Sequence, residues 1–496
     1  MIKLKRARNA LLNVSKLPPE VLGDIFRRNV TLKDDFGELE EGSRNFLLVC
    51  HHWFEVAVRT PEVWSFWGDT PTGWARWHRY SGTGPLDLVL GIGDHYEAAF
   101  DDTLCDALQD HAARDSIRRV HLWSQNATLL SSIISPLTPA GEGIRSISVE
   151  SFILQSQIGS TPVDVSDFFA RYRFPKLHRL ELVNCTITSW DLLISRTTIL
   201  TSLTLRLSHP SPTPTTPELF SVLASNPSLR KVSLSRHAVP VDGGGEFPHR
   251  VPLHHLKELE LAGDPRHVFG LVHRLDHPTN VDLEITLCNR TAVDVPRIVG
   301  PYLRDYLRRR NRSQKGLGLS VSRLGHLTML HIGDVGVVDL STPVWNQIAP
   351  FVTIAMEPEP DQPPQGPLER GVLDLISYTP RDEVVFLHSW GEPAVTEEMF
   401  TQFPNLRSLH AGSVPLPAVF PRSNLDGNGG VPTSLQHLRL EKPIMDGGDW
   451  SPLTTFLARR VSSGNRLDSL TLDRSPHVCL EVEEHIRSMV QEFRIT

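Results

Sequence analysis

Apolar residues near the N-terminus fall on one face of two short segments. In LPPEVLGDIF (17–26), apolar residues occupy positions i, i+1, i+4 and i+5 from Val21, which is the spacing of an amphipathic helix. Prolines at its start suit the first helical turn, where a missing N–H costs nothing. The segment 46–58 offers a broader apolar face, and the aromatic cluster TPEVWSFW (60–67) follows it. We expect two or three packed helices that rely on a neighbour or a partner, because a module of about 45 residues buries too little surface alone.

A different pattern fills the remaining chain, in which an apolar residue, two variable residues and apolar-x-apolar recur. The phrase occurs as IRRVHL (117–122), IRSISV (144–149), LHRLEL (177–182), LTSLTL (200–205), LRKVSL (229–234), LKELEL (256–261), LTMLHI (327–332), LRSLHA (406–411), LQHLRL (435–440) and LDSLTL (467–472). Its alternating end predicts a strand in each copy.

Segments with an apolar period near 3.6 lie between many of these phrases. They are VSDFFARYR (165–173), TSWDLLISRT (188–197), PELFSVLASNP (217–227), RHVFGLVHRLDHP (266–278), IVGPYLRDYLRRR (298–310) and WSPLTTFLARRV (450–461). Strand followed by helix, many times over, predicts an α/β fold with a curved parallel sheet lined outside by helices.

The residues beside the buried apolar pair of each phrase are polar and belong to the concave face of that sheet. The candidates for binding a protein there are Arg119, His121, Arg179, Glu181, Lys231, Glu258, Glu260, His410, His437 and Arg439. A large concave face is the surface with which repeat arrays bind partners. A simply solvated sheet face is the alternative interpretation.

Composition narrows the class of protein. A chain of 496 residues predicts two to four domains or one elongated repeat array. A net charge of -7 argues against a general nucleic-acid binder, and no apolar run has the length of a signal peptide or a membrane helix. The cysteines are scattered without a C-x-x-C pair, which indicates reduced thiols in the cytoplasm or nucleus: Cys50, Cys105, Cys185, Cys288 and Cys479.

Motifs for bond chemistry are missing from the sequence. It has no G-x-S-x-G, no phosphate-binding G-x-x-x-x-G-K-[ST] and no H-E-x-x-H, so we expect no catalytic residue, cofactor or metal. The paired His51 and His52 have no third metal ligand at suitable spacing. RDYLRRRNRSQK (304–315) is a basic cluster, which we interpret as a solvated helix end, with an acidic-partner patch as the alternative.

LPPEVLGDIF followed by LLVCHHWFEVAVRTPEVWSFW resembles an F-box, whose pattern is L-P-x-E, then V-C-x-x-W, then P-x-[ILV]-W. The resemblance implies a three-helix module that binds the Skp-type adaptor of a cullin–RING ubiquitin ligase. The adaptor contacts that it implies are Leu17, Pro18, Glu20, Leu22, Ile25, Phe26, Leu48, Val49, Cys50 and Trp53. The loop 29–45 is longer and more acidic than in many members of the family.

The recurring L-x-x-L-x-L phrase resembles a leucine-rich repeat solenoid, although the family's Asn or Cys follows the strand only in LELVNC (180–185). The domains expected are a basic tail (1–14), an F-box (15–70) and an irregular repeat array (85–496). Insertions are expected near 208–217, 240–252, 356–368 and 422–433.

Two functions follow from these resemblances. The first is the substrate-recognition subunit of an SCF-type ubiquitin ligase, with the adaptor on the F-box and an unidentified protein on the array. The second is a ligase-independent scaffold whose N-terminal helices cap the apolar end of the array.

Overall fold

The computed structural model describes most of the chain. The described residues are 16–30, 45–67, 78–81, 84–92, 115–137, 144–188, 190–197, 199–207, 213–240, 250–288, 295–310, 317–324, 327–335, 348–357, 374–390, 402–413, 415–420, 433–445, 448–474 and 478–495. The chain divides into two compact units, Met1–His255 and Leu256–Thr496. The expected tail (1–14), half of the expected insertion 208–217 and most of each other expected insertion lie outside the described residues.

The described part of the chain contains eleven α-helices. They include all six helices that were predicted between the recurring phrases. The helices are α1 (Pro19–Val30), α2 (His51–Val58), α3 (Ala127–Leu137), α4 (Ser166–Arg171), α5 (Asp191–Arg196), α6 (Thr216–Ser225), α7 (Pro265–Val272), α8 (Val295–Arg309), α9 (Leu416–Val419), α10 (Ser451–Ser462) and α11 (Leu480–Met489). Short 3-10 helices span Asn45–Leu48, Pro61–Trp64 and Arg381–Glu383. None of the described helices is both long and apolar enough to cross a bilayer.

The first unit contains a parallel sheet. Its strands, in spatial order, are β1 (Phe66–Trp67), β2 (Leu86–Ile92), β3 (Ile117–Ser124), β5 (Ser151–Ser156), β8 (Arg179–Val183), β10 (Ser202–Leu207) and β11 (Lys231–Arg236). Short strands outside it are β4 (Arg145–Ser146), β6 (Val163–Asp164), β7 (Tyr172–Arg173), β9 (Cys185–Thr186) and β12 (Val251–Pro252). Spatial order follows chain order, as expected when each crossover returns to the neighbouring position.

The second unit has a mostly parallel sheet with an antiparallel insertion. Its strands, in spatial order, are β13 (Glu258–Gly263), β15 (Asp282–Cys288), β18 (Ile348–Glu357), β17 (Leu327–Val335), β16 (Leu317–Leu324), β19 (Val384–Trp390), β20 (Ser408–Gly412), β21 (His437–Glu441), β22 (Leu467–Asp473) and β23 (Val490–Ile495). A short strand β14 (Leu275–Asp276) lies outside this series. Strand β17 runs antiparallel to both neighbours, and all other pairings in the series are parallel.

The recurring phrase places its apolar residues in the core. In the first unit, Leu180, Leu203 and Val232 stand opposite one another on adjacent strands, and each is fully buried. The leucine that opens the phrase is also buried at Leu177, Leu200 and Leu229. These apolar residues form rows that run across neighbouring strands. Each strand therefore packs its apolar side chains against those of the strand beside it. The predicted mixed α/β class is therefore confirmed.

The backbone repeats a left-handed residue directly after several strands. Asn184, Ser413, Lys442 and Arg474 follow β8, β20, β21 and β22, with φ between 46° and 54°. Non-glycine residues seldom adopt this region. At Asn184, Ser413 and Lys442, the N–H donates to a carbonyl of the next strand in the sheet, with N···O distances of 2.7 to 2.8 Å. The same turn chemistry thus recurs even where the sequence after the strand differs.

Two of the ten predicted repeat strands are wrong in their placement. In 144–149 only Arg145–Ser146 forms a strand, and it pairs with β7 rather than with the main sheet. The main-sheet strand is the next segment, Ser151–Ser156, where almost every residue is buried and alternation is lost. The phrase 327–332 does form a strand, but it is the antiparallel β17, part of a meander with β16 and β18.

Candidate partner-binding surfaces

The N-terminal helices form a compact core of their own. Leu22 and Phe26 on α1 pack with residues of α2 and of the Pro61–Trp64 turn; the buried set is Leu22, Phe26, Val56, Ala57, Val63 and Trp64. Trp64 Nε1 donates to the Ala57 carbonyl at 2.8 Å, which satisfies the indole of a buried side chain. The ring of Trp53 lies 5.3 Å from that of Phe26. This core fixes the relative positions of the helices.

Apolar side chains also remain on the outside of this module. Val21 and Ile25 lie four residues apart on one face of α1, and both are exposed. Leu48 is 84% exposed and Val49 is about half exposed, both in the turn before α2. Phe54 on α2 is exposed as well. These side chains leave apolar area in water that the module's own core does not cover.

The implied adaptor contacts therefore divide into two groups. Ile25, Leu48 and Val49 are exposed and available to a partner. Leu22 and Phe26 are fully buried in the module, and their contact with the adaptor stays a prediction. Their side chains hold α1 against α2.

The remaining implied contacts are at the module's edges. Leu17 and Trp53 are half-buried and pack on the core, and Cys50 is half-buried, whereas Pro18 is exposed. Glu20 is exposed and lines a polar cleft of about 520 Å³ together with Asp24 and Arg27. Among the described residues, the buried Trp53 Nε1 has no hydrogen-bond acceptor.

The predicted second helix is interrupted before Cys50. Asn45–Leu48 is a 3-10 turn, and α2 begins at His51 with Cys50 as an extended N-cap. The Cys50 carbonyl accepts the N–H of Phe54 at 3.1 Å, as the residue before a helix does. His51 and Glu55 then form an i,i+4 pair at 3.4 Å. The break turns Leu48 and Val49 outward from the helix axis instead of placing them within a helical face.

The module continues into the sheet of the first unit. Strand β1 pairs with β2, and the backbone N–H of Asp87 donates to the Ser65 carbonyl at 2.7 Å. The buried carboxylate of Asp87 accepts from Arg118 at 2.6 and 3.0 Å and from Arg119 at 2.6 Å. Burial opposes ionisation, but the hydrogen bonds and charges of Arg119 and Arg118 lower the pKa of Asp87 overall. Asp87 was not found from the sequence, since its strand lacks the repeat phrase.

The pairing of the strands aligns the predicted binding residues of the first unit in two adjacent rows that run across the sheet. Arg119, Arg179 and Lys231 belong to one row, and His121 and Glu181 belong to the next. Only Lys231 in this set is exposed. Arg119 is bound to Asp87, and Arg179 lies 3.3 Å from Glu181. Several charged side chains that were expected to bind a partner therefore form ion pairs with other residues of the same sheet.

In the second unit, too, the predicted binding residues are paired with other side chains, and one of them is buried. His410, predicted as an accessible binding residue, is 4% exposed, and Arg439 is paired with Asp473. His437 Nδ1 lies 2.9 Å from Ser469 Oγ. His410 is buried beside His388 and Glu441 of the neighbouring strands, and its role in binding a protein stays a prediction.

Glu258 and Glu260 stand at the first strand of the second unit. Glu258 is exposed and Glu260 half-buried, opposite Asp282 and Glu284 on β15. Burial and the nearby Glu258 raise the pKa of Asp282, although Arg310 acts in the opposite sense. Carboxylates directly opposite each other in neighbouring strands repel.

His388 was not singled out from the sequence, although it stands opposite His410 on the neighbouring strand β19. Burial lowers the pKa of His388 to about 4, and the charges of His331 and Arg439 act in the same direction. Burial likewise lowers the pKa of His410 to about 2. Both imidazoles are neutral at pH 7. Within the described residues, no group of three or more His, Cys, Asp or Glu is arranged for a metal ion.

Comparison with known proteins adds no identification. No family model matches the chain, and no curated protein matches it.

Proposed function

We propose that residues 15–70 form an F-box that docks a Skp-type adaptor, and that 85–496 form a leucine-rich-repeat-like array that holds a protein substrate. The chain would then be the substrate-recognition subunit of an SCF-type ubiquitin ligase, acting in the cytoplasm or nucleus. Ubiquitin transfer itself would be performed by other subunits. The observation that carries the proposal is the exposed apolar set Val21, Ile25, Leu48 and Val49 on a module whose core is already complete.

Two further features support this assignment. The residues at the surface include members of the F-box pattern that a partner would have to cover, whereas the pattern's buried members build the module. The parallel strands with their recurring strand-end turn are the arrangement that a leucine-rich-repeat-like array requires. Adaptor docking and substrate binding would thus use separate parts of the chain.

Co-purification of the full chain with a Skp-type adaptor tests the docking step. We would replace Leu48 and Val49 together by Asp, because each buried apolar side chain contributes about 1.5 to 3 kcal/mol to an interface. Their loss is expected to weaken binding at least roughly a hundred-fold. The control is Ile158→Asp combined with Ile199→Asp, two apolar side chains outside the module that are 49% and 42% exposed.

The control pair should bind the adaptor as the unmodified chain does. Absence of binding by the unmodified chain would reject the F-box assignment. Equal binding by the Leu48 and Val49 variant would reject this surface as the docking site.

The scaffold function with an N-terminal cap is the second candidate, and a specific contact favours it. Strand β1 follows the helices and covers the edge of β2, where Ser65 accepts the N–H of Asp87. Deleting residues 1–70 would remove β1 as well as the helices, so aggregation after truncation would be expected from either function. A chain that stays folded, fails to bind the adaptor and captures a protein through its sheet face would favour the scaffold.

A further inference from the structure

A positively charged cleft lies in the second unit. It has a volume of about 580 Å³ and lies between the C-terminal half of α8 and residues 377–383. Arg304, Arg308, Arg310 and Arg381 line it, and Glu383 is the one carboxylate of the lining. The basic segment noted in the sequence at 304–315 thus contributes to a cavity, although 311–315 lie outside the described residues.

Gly300 allows one wall of this cleft, the ring of Tyr378, to lie close to α8. A Cβ atom on Gly300 would lie only 2.4 to 2.5 Å from ring atoms of Tyr378, so the tyrosine ring packs directly on the helix. Arg304 follows one turn later, and its guanidinium carbon lies 4.9 Å from the centre of the same ring. Stacking on an aromatic face holds a guanidinium in place while leaving its N–H edge directed elsewhere. Arg308 continues the same helical stripe another turn along.

Three of the four guanidinium groups have no hydrogen-bond acceptor among the described residues. No described residue accepts a hydrogen bond from the guanidinium of Arg304, Arg308 or Arg381. Arg310 differs, because its Nη1 lies 3.3 Å from the Tyr306 hydroxyl and 3.5 Å from the Val281 carbonyl. Four guanidinium groups against one carboxylate leave the lining with a net charge of about +3, since arginine stays protonated at all ordinary pH values.

Arginines near the end of a helix also occur for a simpler reason, since they offset the negative end of the helix dipole. That explanation suits Arg308, which lies in the last turn of α8. It does not account for Arg304, which lies a turn earlier and stacks on Tyr378, or for Arg381, which belongs to a different element. The dipole opposes an anion here by about half a charge, which is small beside the net charge of the lining.

We propose that this cleft binds a phosphate monoester. Several planar guanidinium groups lining one cleft suit the tetrahedral oxygens of a phosphate, which accept paired N–H···O bonds. The volume exceeds that of a phosphate group, so it also admits the organic group that carries it. The ring of Tyr378 supplies an apolar wall for that group. This site stands independently of the F-box assignment, because no residue of the N-terminal module takes part.

Calorimetric titration of the full chain with phenyl phosphate tests the proposal at constant ionic strength. We expect saturable binding, tighter than that of inorganic phosphate, because the phenyl ring can pack on Tyr378. Binding should weaken as pH falls through about 6, where the phosphate dianion takes up a proton and the arginines do not change. The double variant R304Q/R308Q should lose at least about ten-fold in affinity, since charge-assisted hydrogen bonds are among the strong ones.

Arg309→Gln is the matched control, as Arg309 lies in the same helical turn but outside the cleft. It should change affinity by less than about two-fold. R381Q tests the opposite wall without altering α8 and should weaken binding on its own. No saturable binding of phenyl phosphate, or an equal loss in R309Q and R304Q/R308Q, would overturn the proposal.

The source of the phosphate is distinguished by two further probes. Glucose 6-phosphate represents a small free ester, and a phosphoserine peptide with its unphosphorylated twin represents a modified protein. Either probe that competes with phenyl phosphate in the unmodified chain, and fails to bind R304Q/R308Q, identifies its source class. Competition by neither probe would overturn the assignment to phosphate monoesters.

Discussion

His388 and His410 lie side by side on neighbouring parallel strands, with ring centroids 4.9 Å apart and both side chains buried. The ionisable groups that act on them come from β17, β21 and β22: His331, Arg439, Glu441 and Asp473. Glu441 Oε2 lies 3.7 Å from His410 Nε2 and forms no hydrogen bond with it. Protonation of either ring would therefore place a cation in a poorly compensated site beside a second imidazole.

Acid should destabilise the second unit through this pair. His388 has a pKa of about 4 in the folded chain and about 6.5 when unfolded. Between those values the unfolded chain binds more protons, so stability is lost as pH falls from about 6.5 towards 4. This one group should account for about 3 kcal/mol over the window. Urea unfolding followed by circular dichroism at several pH values in that window measures the loss.

His388→Phe isolates the contribution of the histidine from that of the carboxylates. Its free energy of unfolding should fall less steeply with acid than that of the unmodified chain. The control is His254→Phe, a replacement at an exposed position, which should leave the pH dependence unchanged. Identical slopes for H388F and the unmodified chain would contradict a neutral, buried His388.

Asp87 should be essential to the first unit. Its carboxylate is buried and bound by Arg118 and Arg119, so Asp87→Ala leaves two arginines without their partner. Breaking a buried ion pair in this way typically costs about 3 to 5 kcal/mol. Chemical denaturation should show a transition of the first unit at lower urea. Asp115→Ala, at an exposed aspartate, should cost less than about 0.5 kcal/mol, and an equal effect of both would contradict the role of Asp87.

The strands that the sequence predicted share a visible alternation. Strand β15 alternates as well, but it was missed because it lacks the apolar residue that opens the phrase. Eight of the ten recurring phrases form parallel strands because their leucines point to one face and polar residues to the other. In β5 and β19 nearly every residue is buried, so the period of two disappears. The antiparallel meander β16–β18 is set by long-range pairing that no local pattern encodes.

The candidate surfaces were predictable in position but not in exposure. The F-box pattern marked Leu22 and Leu48 alike, yet one is fully buried and the other is 84% exposed. Likewise Lys231 and His410 are both polar positions of the phrase, the third and the fifth, but only Lys231 is exposed. Exposure depends on neighbouring strands and on chain segments distant in sequence. A single sequence does not supply that information.

Leu22 and Leu48 should accordingly respond to truncation in opposite ways. Leu22→Ala empties part of a closed core and should lower the stability of the N-terminal module by about 2 to 5 kcal/mol. Leu48→Ala removes an exposed side chain and should change stability by less than about 0.5 kcal/mol while weakening adaptor binding. Protease sensitivity of the N-terminal segment reports stability, and co-purification reports binding. Loss of stability in L48A would show that the side chain is not free in solution.

Two helical glycines offer an internal test of the packing around the arginine cleft. Alanine normally stabilises a helix interior by about 1 kcal/mol relative to glycine. Gly270→Ala in α7 should follow that rule, because nothing lies within 4 Å of the added Cβ. Gly300→Ala in α8 should instead destabilise the second unit by about 1 to 3 kcal/mol, since the Cβ would fall within 2.5 Å of the Tyr378 ring and force it to move.

Because Arg304 stacks on the same ring, G300A should also weaken phenyl phosphate binding, whereas G270A should not. Thermal unfolding of the two variants, measured beside their phenyl phosphate titrations, separates these outcomes; a stabilised G300A with unchanged binding would contradict the packing of Tyr378 on α8.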